Sequence, residues 1–228
     1  MPKSPAATHA PEELSLRERK KQQTGRKLWT VAIGLFVERG FDQVSVAEIA
    51  AAAEVSKMTV FNYFPTKEDL VLLPMERHTG EVAEVVRERP AGCSAVAAVR
   101  RQYLAALDAQ DPASGLCDQG SVLDVLRLIR GTPALALRAQ ATMARAEELL
   151  AAELGAADRD GDGDREGDRL TARLAAALLL GTRRTLVREN QRRMLAGEPA
   201  ASVLPDARAN ALRAFALVEN GLGDYCGG

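Results

Sequence analysis

The residues whose types and spacing could do chemistry lie between Ser45 and Phe64. Serine at positions 45 and 56 predicts the start of two short helices, because a serine hydroxyl can accept a hydrogen bond from the helix amides that follow it. The second helix has a polar face that a protein core would not require, namely Lys57, Thr59, Asn62 and Tyr63. An amine for phosphates, hydroxyls for the backbone and an amide for base edges are groups that bind duplex DNA. A purely structural helical hairpin is the alternative.

Two short helices joined by a tight turn form a helix-turn-helix unit, which places its second helix in the major groove. The first helix is rich in small residues that allow a close crossing: Ala47, Ala50 and Ala51. Glu48, three residues after Ser45, completes a capping box. A longer helix is predicted before this pair, from Leu16 to Arg39, because apolar residues recur at helical spacing and Gly40 follows as a stop signal.

Four separated motifs occur in order along this region: Phe36-Val-Glu-Arg-Gly-Phe41, Ser45-Val-Ala-Glu-Ile-Ala50, Val55-Ser-Lys-Met-Thr59 and Tyr63-Phe-Pro-Thr-Lys-Glu-Asp-Leu70. Together they resemble the N-terminal domain of the tetracycline-repressor (TetR) family. The resemblance implies a homodimer, an inverted-repeat DNA operator and a helical C-terminal domain that holds a small molecule, with repression as the usual outcome. By position it assigns these residues to DNA contacts: Ser45, Ser56, Lys57, Thr59, Tyr63 and Lys67.

Three positions depart from the family pattern. Glu54 lies in the turn where glycine is usual, so it must adopt a left-handed backbone or reshape the turn. Met58 stands where a small residue is frequent and could touch thymine methyl groups, and Phe61 replaces a common tyrosine. Asn62 can read a base edge. The predicted DNA-binding residues are therefore Ser45, Ser56, Lys57, Met58, Thr59, Phe61, Asn62, Tyr63 and Lys67.

The composition favours an all-α protein. Of 228 residues, 46% are hydrophobic and 4% aromatic, so the core must be built from Ala, Leu and Val. Every lysine lies at or before Lys67, which suggests that the N-terminal end meets a polyanion. No apolar run is long enough to span a membrane, and the N-terminus has no apolar signal-peptide core. We therefore expect a cytoplasmic protein, associated with the bacterial nucleoid.

The predicted domains are a disordered arm (1–15), a helix-turn-helix DNA-binding domain (16–66) and a helical ligand-binding and dimerisation domain (67–228). Thr66 is expected to cap a connector helix from Lys67 to about Arg89, which would move like a lever when a ligand binds. Apolar spacing and turn signals predict the later helices: Ser94–Ala109, Ser121–Arg130, Pro133–Leu154, Asp168–Ala196 and Pro205–Leu222.

The C-terminal region has too few aromatic residues for the aromatic cages that hold flat cations. An aliphatic pocket with arginine at its mouth would suit an apolar molecule with an anionic group. The predicted ligand-binding residues are Arg100, Tyr103, Leu104, Arg127 and Arg130, with Arg101 and Arg138 as further anion partners. Arginines on solvated helix faces are the alternative for each of them.

Apolar stripes on the last two predicted helices could form a four-helix dimer interface, as the resemblance also suggests. The predicted interface residues are Leu174, Leu178, Leu212 and Phe215. Packing of these side chains within one subunit is the alternative.

No residue pattern predicts catalysis, a bound metal or a cofactor. His9 and His78 are not paired with a nucleophile, and there is no glycine-rich phosphate loop. Segment 157–168 matches half of a calcium-binding loop, but Arg169 occupies the position that needs a bidentate glutamate, so a flexible acidic linker is expected. We therefore predict a ligand-responsive transcriptional regulator, not an enzyme. The alternative is a helical small-molecule-binding or scaffolding protein whose N-terminal domain docks a protein partner.

Overall fold

The computed structural model describes residues 15–157 and 165–222, and it confirms the all-α fold class. The predicted arm before Ser15 and most of the predicted acidic linker lie outside the described residues. Within them, ten α-helices follow in order: α1 Leu16–Arg39, α2 Val46–Ala52, α3 Lys57–Tyr63, α4 Asp69–Glu76, α5 Glu81–Arg87, α6 Ala95–Asp108, α7 Gly120–Gly131, α8 Pro133–Ala157, α9 Arg165–Leu195 and α10 Ala200–Leu222. A 3₁₀ helix, Pro112–Ser114, lies between α6 and α7. None of the described helices is long and apolar enough to cross a membrane.

The chain divides into two compact units between Leu70 and Val71, whereas the sequence placed the boundary before Lys67. In the N-terminal unit, α1, α2 and α3 enclose a core of fully buried apolar side chains, among them Leu28, Phe36, Ile49, Val60 and Leu70. Aromatic packing strengthens it, since the ring centroids of Phe36 and Phe41 lie 4.9 Å apart.

In the C-terminal unit, α5, α6, α8, α9 and α10 pack around a second core that includes Tyr103, Leu107, Leu154 and Phe215. A buried polar network crosses this core. The amide nitrogen of Asn190 donates to the carbonyl oxygen of Ser114 at 2.9 Å and to the hydroxyl of Tyr103 at 3.1 Å. Burial raises the pKa of Tyr103, so its phenol keeps its proton and donates to the same carbonyl.

The predicted connector helix is wrong as a single element, because α4 ends at Glu76 and α5 begins at Glu81. Pro74 lies inside α4, and a proline has no amide hydrogen to continue the helical bonds. The Thr79 hydroxyl donates to the Glu76 carbonyl in the intervening turn, and Gly80 precedes α5. A rigid lever from Lys67 to Arg89 is therefore absent.

The predicted start of the last helix is also wrong. α10 begins at Ala200 and contains Pro205, which the sequence had placed at its first residue. The backbone amide of Ala200 donates to a carboxylate oxygen of Asp118 at 2.9 Å. This cap comes from a residue distant in sequence, so local helix signals could not reveal it.

Candidate DNA-binding surface and effector region

The turn between α2 and α3 contains a non-glycine residue with a left-handed backbone. Glu54, which stands where glycine is usual, has a φ of +58°. This left-handed backbone is one of the two outcomes expected for it. The amide of Val55 donates to the Ala50 carbonyl at 2.9 Å, which closes the end of α2 in a Schellman pattern. The turn is thus formed at the steric cost that a side chain brings to this conformation.

Serine caps set the starts of both short helices. Ser45 and Glu48 form the predicted capping box, in which the Glu48 amide donates to the Ser45 hydroxyl at 3.2 Å and the Glu48 carboxylate accepts from the Ser45 amide at 2.8 Å. The Thr59 amide donates to the Ser56 hydroxyl at 3.0 Å. Both predicted caps are confirmed.

The helix α3 presents one exposed face and one anchored face. Val60 is fully buried, whereas Met58 is 69% exposed, and helical geometry of 100° per residue places them about 160° apart. Phe61 and Asn62 follow Met58 at the spacing of one helical turn, and both are exposed. The Lys57 ammonium lies 5.7 Å from the centroid of the Phe61 ring. We call the set Lys57, Met58, Phe61 and Asn62 the reading face.

Three other predicted DNA contacts have partners within the N-terminal unit. The hydroxyl oxygens of Thr59 and Ser56 lie 2.8 Å apart, so Thr59 supports the cap. The Tyr63 ring packs against α1, where a β-carbon built on Gly25 would lie 3.5 Å from the ring. The Lys67 ammonium lies 4.4 Å from the Phe41 ring centroid. All three side chains are therefore engaged within the N-terminal unit.

Basic residues continue the positive surface along α1. Six of them are exposed in its N-terminal half: Arg17, Arg19, Lys20, Lys21, Arg26 and Lys27. Because Gly25 contacts Tyr63, this half of α1 lies beside the C-terminal end of α3. These exposed cations make the N-terminal half of α1 positive, which suits contact with a phosphate backbone.

An ion pair fixes α2 to the end of α1. An Arg39 guanidinium nitrogen lies 2.7 Å from a Glu48 carboxylate oxygen. The hydrogen bond from the Ser45 amide, followed by that from Arg39, lowers the pKa of Glu48 to about 2. Glu48 therefore stays ionised and keeps both partners at neutral pH.

Residues 28–73, which contain the reading face, match the family model for bacterial regulatory proteins of the tetR family. Over these residues the chain is similar to the tetR family of bacterial regulatory proteins.

Two regulators are similar to this chain in sequence. The HTH-type transcriptional regulator TcmR of Streptomyces glaucescens is 29% identical over 133 residues, which are 58% of this chain and 59% of TcmR. The HTH-type transcriptional regulator LuxR of Vibrio harveyi is 49% identical over 53 residues, 23% of this chain and 24% of LuxR. The chain thus matches less than two thirds of either relative. Both relatives are transcriptional regulators, which agrees with the prediction that this chain is not an enzyme.

The fold is also shared with a solved structure of a TetR-family regulator from Streptomyces coelicolor. The TM-score is 0.51 at 22% identity, and the match covers 93% of this chain and 99% of that one. At this identity the likeness concerns the fold alone.

In the C-terminal unit, four of the five predicted anion-binding arginines have protein partners. The closest nitrogen–oxygen distances are 2.7 Å between Arg100 and Glu219, 2.9 Å between Arg127 and Asp124, and 3.1 Å between Arg130 and Gln191. Arg138 binds Glu76 through two parallel hydrogen bonds of 2.8 Å. Of the other predicted ligand residues, Tyr103 is buried with its hydroxyl satisfied, and Leu104 packs partly buried against the core.

Sequence reasoning missed Arg183. Burial lowers the pKa of this arginine, and Tyr103, Glu81 and Asp111 act on it electrostatically. It makes no hydrogen bond or ion pair with any residue in the described part of the chain. The signal was present, because Leu179, Arg183, Leu186 and Asn190 follow the three-and-four spacing of the buried stripe of α9.

A groove of about 450 Å³ opens between α5 and α6. Two residues of its lining, Glu81 and Asp111, act electrostatically on Arg183, which does not itself line the groove. Four carboxylates line it, those of Glu81, Glu84, Glu88 and Asp111. Gln102 also lines the groove, and its carbonyl oxygen is buried without a partner among the described residues. The charge of this lining is opposite to that of the arginine that the sequence predicted at the mouth of an aliphatic pocket.

Three of the four predicted interface residues are exposed. Leu174, Leu178 and Leu212 are 54%, 50% and 48% exposed, so each is accessible to a second subunit. Phe215 is wrong as an interface residue, because it is fully buried with its ring centroid 6.0 Å from that of Tyr103. It belongs to the buried stripe of α10 and packs within the subunit.

Proposed function

We propose that this chain is a transcriptional regulator that binds an operator in duplex DNA through the reading face of α3. The observation that carries the proposal is the exposure of all four reading-face residues on a helix anchored by buried Val60. Such a helix can enter the major groove without unfolding the core behind it. The exposed basic residues of α1 would contact the neighbouring phosphates. A DNA operator as the partner implies a location at the bacterial nucleoid.

Selection from random duplexes with the purified full chain tests this proposal. We expect one inverted-repeat sequence to be enriched. Asn62→Ala and Lys57→Ala should each weaken its binding, whereas Arg101→Ala, which removes an exposed cation from α6, should leave it unchanged. If no sequence is enriched and all duplexes bind equally weakly, the N-terminal unit docks a protein partner instead.

The operator-binding form would be a homodimer assembled through α9 and α10. The helix α9 is apolar on two sides, since exposed Leu170, Leu174 and Leu178 point about 150° away from its buried stripe. A helix with two apolar faces needs a cover on each of them. A second copy of the chain supplies that cover and would set the two α3 helices about 34–36 Å apart, one turn of DNA.

Sedimentation of the double variant Leu174→Glu/Leu178→Glu tests the dimer. We expect a folded monomer with much weaker operator binding. The control is Leu137→Glu, which places one glutamate on α8 at a leucine that is 69% exposed. A double variant that remains dimeric would contradict the assignment of this interface.

An effector in the C-terminal unit would control repression through α4. The C-terminal end of α4 is held to α8, because Glu76 accepts hydrogen bonds from Arg138 and from the Thr142 hydroxyl, the latter at 3.3 Å. At its other end, Leu70 is fully buried in the N-terminal unit. A ligand that displaces α8 would therefore pull on the DNA-binding unit, with a coupling free energy of typically 1–3 kcal/mol.

A ligand screen by thermal shift tests this control. Apolar carboxylates, which Arg183 would favour, and amines, which the acidic groove would favour, are the two classes to compare. We expect a compound that raises the unfolding temperature to release the operator. If every stabilising compound left operator affinity unchanged, the coupling would be refuted.

A further inference from the structure

The reading face has two large apolar side chains at its centre. Met58 is 69% exposed and Phe61 is 36% exposed, three residues apart on the same side of α3. Exposed apolar side chains are common singly, but a pair on a surface otherwise built for phosphate and base contacts needs an apolar partner when that surface is buried.

The polar groups around this pair are mostly engaged. The Thr59 hydroxyl lies 2.8 Å from that of Ser56, and the Lys57 ammonium lies over the Phe61 ring at 5.7 Å. Asn62 is exposed beside them. The face therefore offers one amide, one ammonium and an apolar pair, and the apolar pair is the part that no phosphate or hydrogen-bonding group of the DNA would match.

The major groove contains one apolar group on its base edges, the C5-methyl group of thymine. We propose that Met58 and Phe61 recognise thymine methyl groups in each operator half-site, with Met58 as the main specificity-determining residue. This inference rests on the proposed function, because it names the base chemistry that the same reading face selects.

Uracil substitution tests the inference, because it removes the methyl group and leaves every hydrogen-bonding group of thymine in place. The probe is the selected operator duplex, synthesised with uracil replacing thymine at one position in both half-sites, scanned position by position. Burial of one methyl group raises affinity by about fourfold, so we expect about a fifteenfold loss for the pair at the position under Met58.

Met58→Ala identifies the residue that senses the methyl group. In this variant the thymine-to-uracil ratio at that position should fall close to one, while Lys57→Ala should weaken both duplexes and keep the ratio. The substitution is at an exposed residue, so the fold should be retained, and circular dichroism checks this.

Three outcomes would overturn the inference. Wild-type protein could bind every uracil duplex as tightly as the thymine duplex, Met58→Ala could keep the full ratio, or Met58→Ala could lose all binding, which a methyl contact does not explain. Failure of the proposed function is distinct, because then no duplex would be enriched from which to build the probe.

Discussion

The left-handed residue in the turn before α3 predicts that Glu54→Gly stabilises the protein. A side chain in this conformation costs roughly 1–2 kcal/mol, and glycine removes that cost. Glycine also lowers the stability by about 0.4–1 kcal/mol, because it gives the unfolded chain more conformational freedom. The ion pair to Lys27, at 3.5 Å and with side chains 52% and 85% exposed, contributes only a few tenths of a kcal/mol. The net gain should be about 0.5 kcal/mol.

Thermal unfolding of the full chain measures this gain, which corresponds to a rise of about 1–2 °C for a protein of this size. The matched control is Glu54→Gln, which keeps the β-carbon and removes only the charge, so its unfolding temperature should stay within about 1 °C of the parent. Operator affinity should not change, because Glu54 lies outside the reading face. A lower unfolding temperature for Glu54→Gly, or an equal rise for Glu54→Gln, would refute the reasoning.

Three further substitutions test the packing and the electrostatics. Gly115→Ala should lower the free energy of unfolding by about 2–4 kcal/mol in urea titrations, because φ is +76° and the new β-carbon would lie 2.4 Å from the Val187 carbonyl oxygen, whereas Gly34→Ala, with nothing within 4 Å, should not destabilise. Asn190→Ala should cost about 1–3 kcal/mol in the same assay, since it removes two buried hydrogen bonds, and Asn220→Ala at an exposed site of α10 should cost little. Glu48 has its pKa lowered from 4.5 to about 2, so its contribution to stability is complete above pH 4.5 and is lost as the pH falls through 2. Glu48→Gln should lack this part of the pH profile in thermal unfolding, and an unchanged profile would contradict the assignment.

Local signals predicted the N-terminal unit well. The hydroxyls of Ser45, Ser56 and Thr66 each accept a hydrogen bond from the backbone amide three residues later. For Thr66 the donor is the Asp69 amide, at 3.2 Å. Such bonds depend on adjacent residues, so the sequence alone contains them. The left-handed backbone at Glu54 is one of the two outcomes expected from its place in a turn where glycine is usual.

Non-local contacts explain what the sequence did not predict. Arg100 binds Glu219, 119 positions away, and Asp118 caps α10, 82 positions away, and neither partner is visible in a local pattern. The sequence placed Phe215 on an apolar stripe of the last helix that could face a second subunit. Its ring instead packs against Tyr103 in the core. The break after α4 was different, because Pro74 and Gly80 are visible in the sequence as local signals that end a helix.

The salt dependence of operator affinity tests the central claim most directly. With the selected duplex, affinity should fall steeply and linearly on a logarithmic scale of salt concentration. Lys57→Ala should reduce that slope by about one per subunit, or about two for the dimer, and Arg101→Ala should not change it. An affinity insensitive to salt, or equal slopes for the parent and Lys57→Ala, would contradict an account in which the reading face of α3 binds DNA.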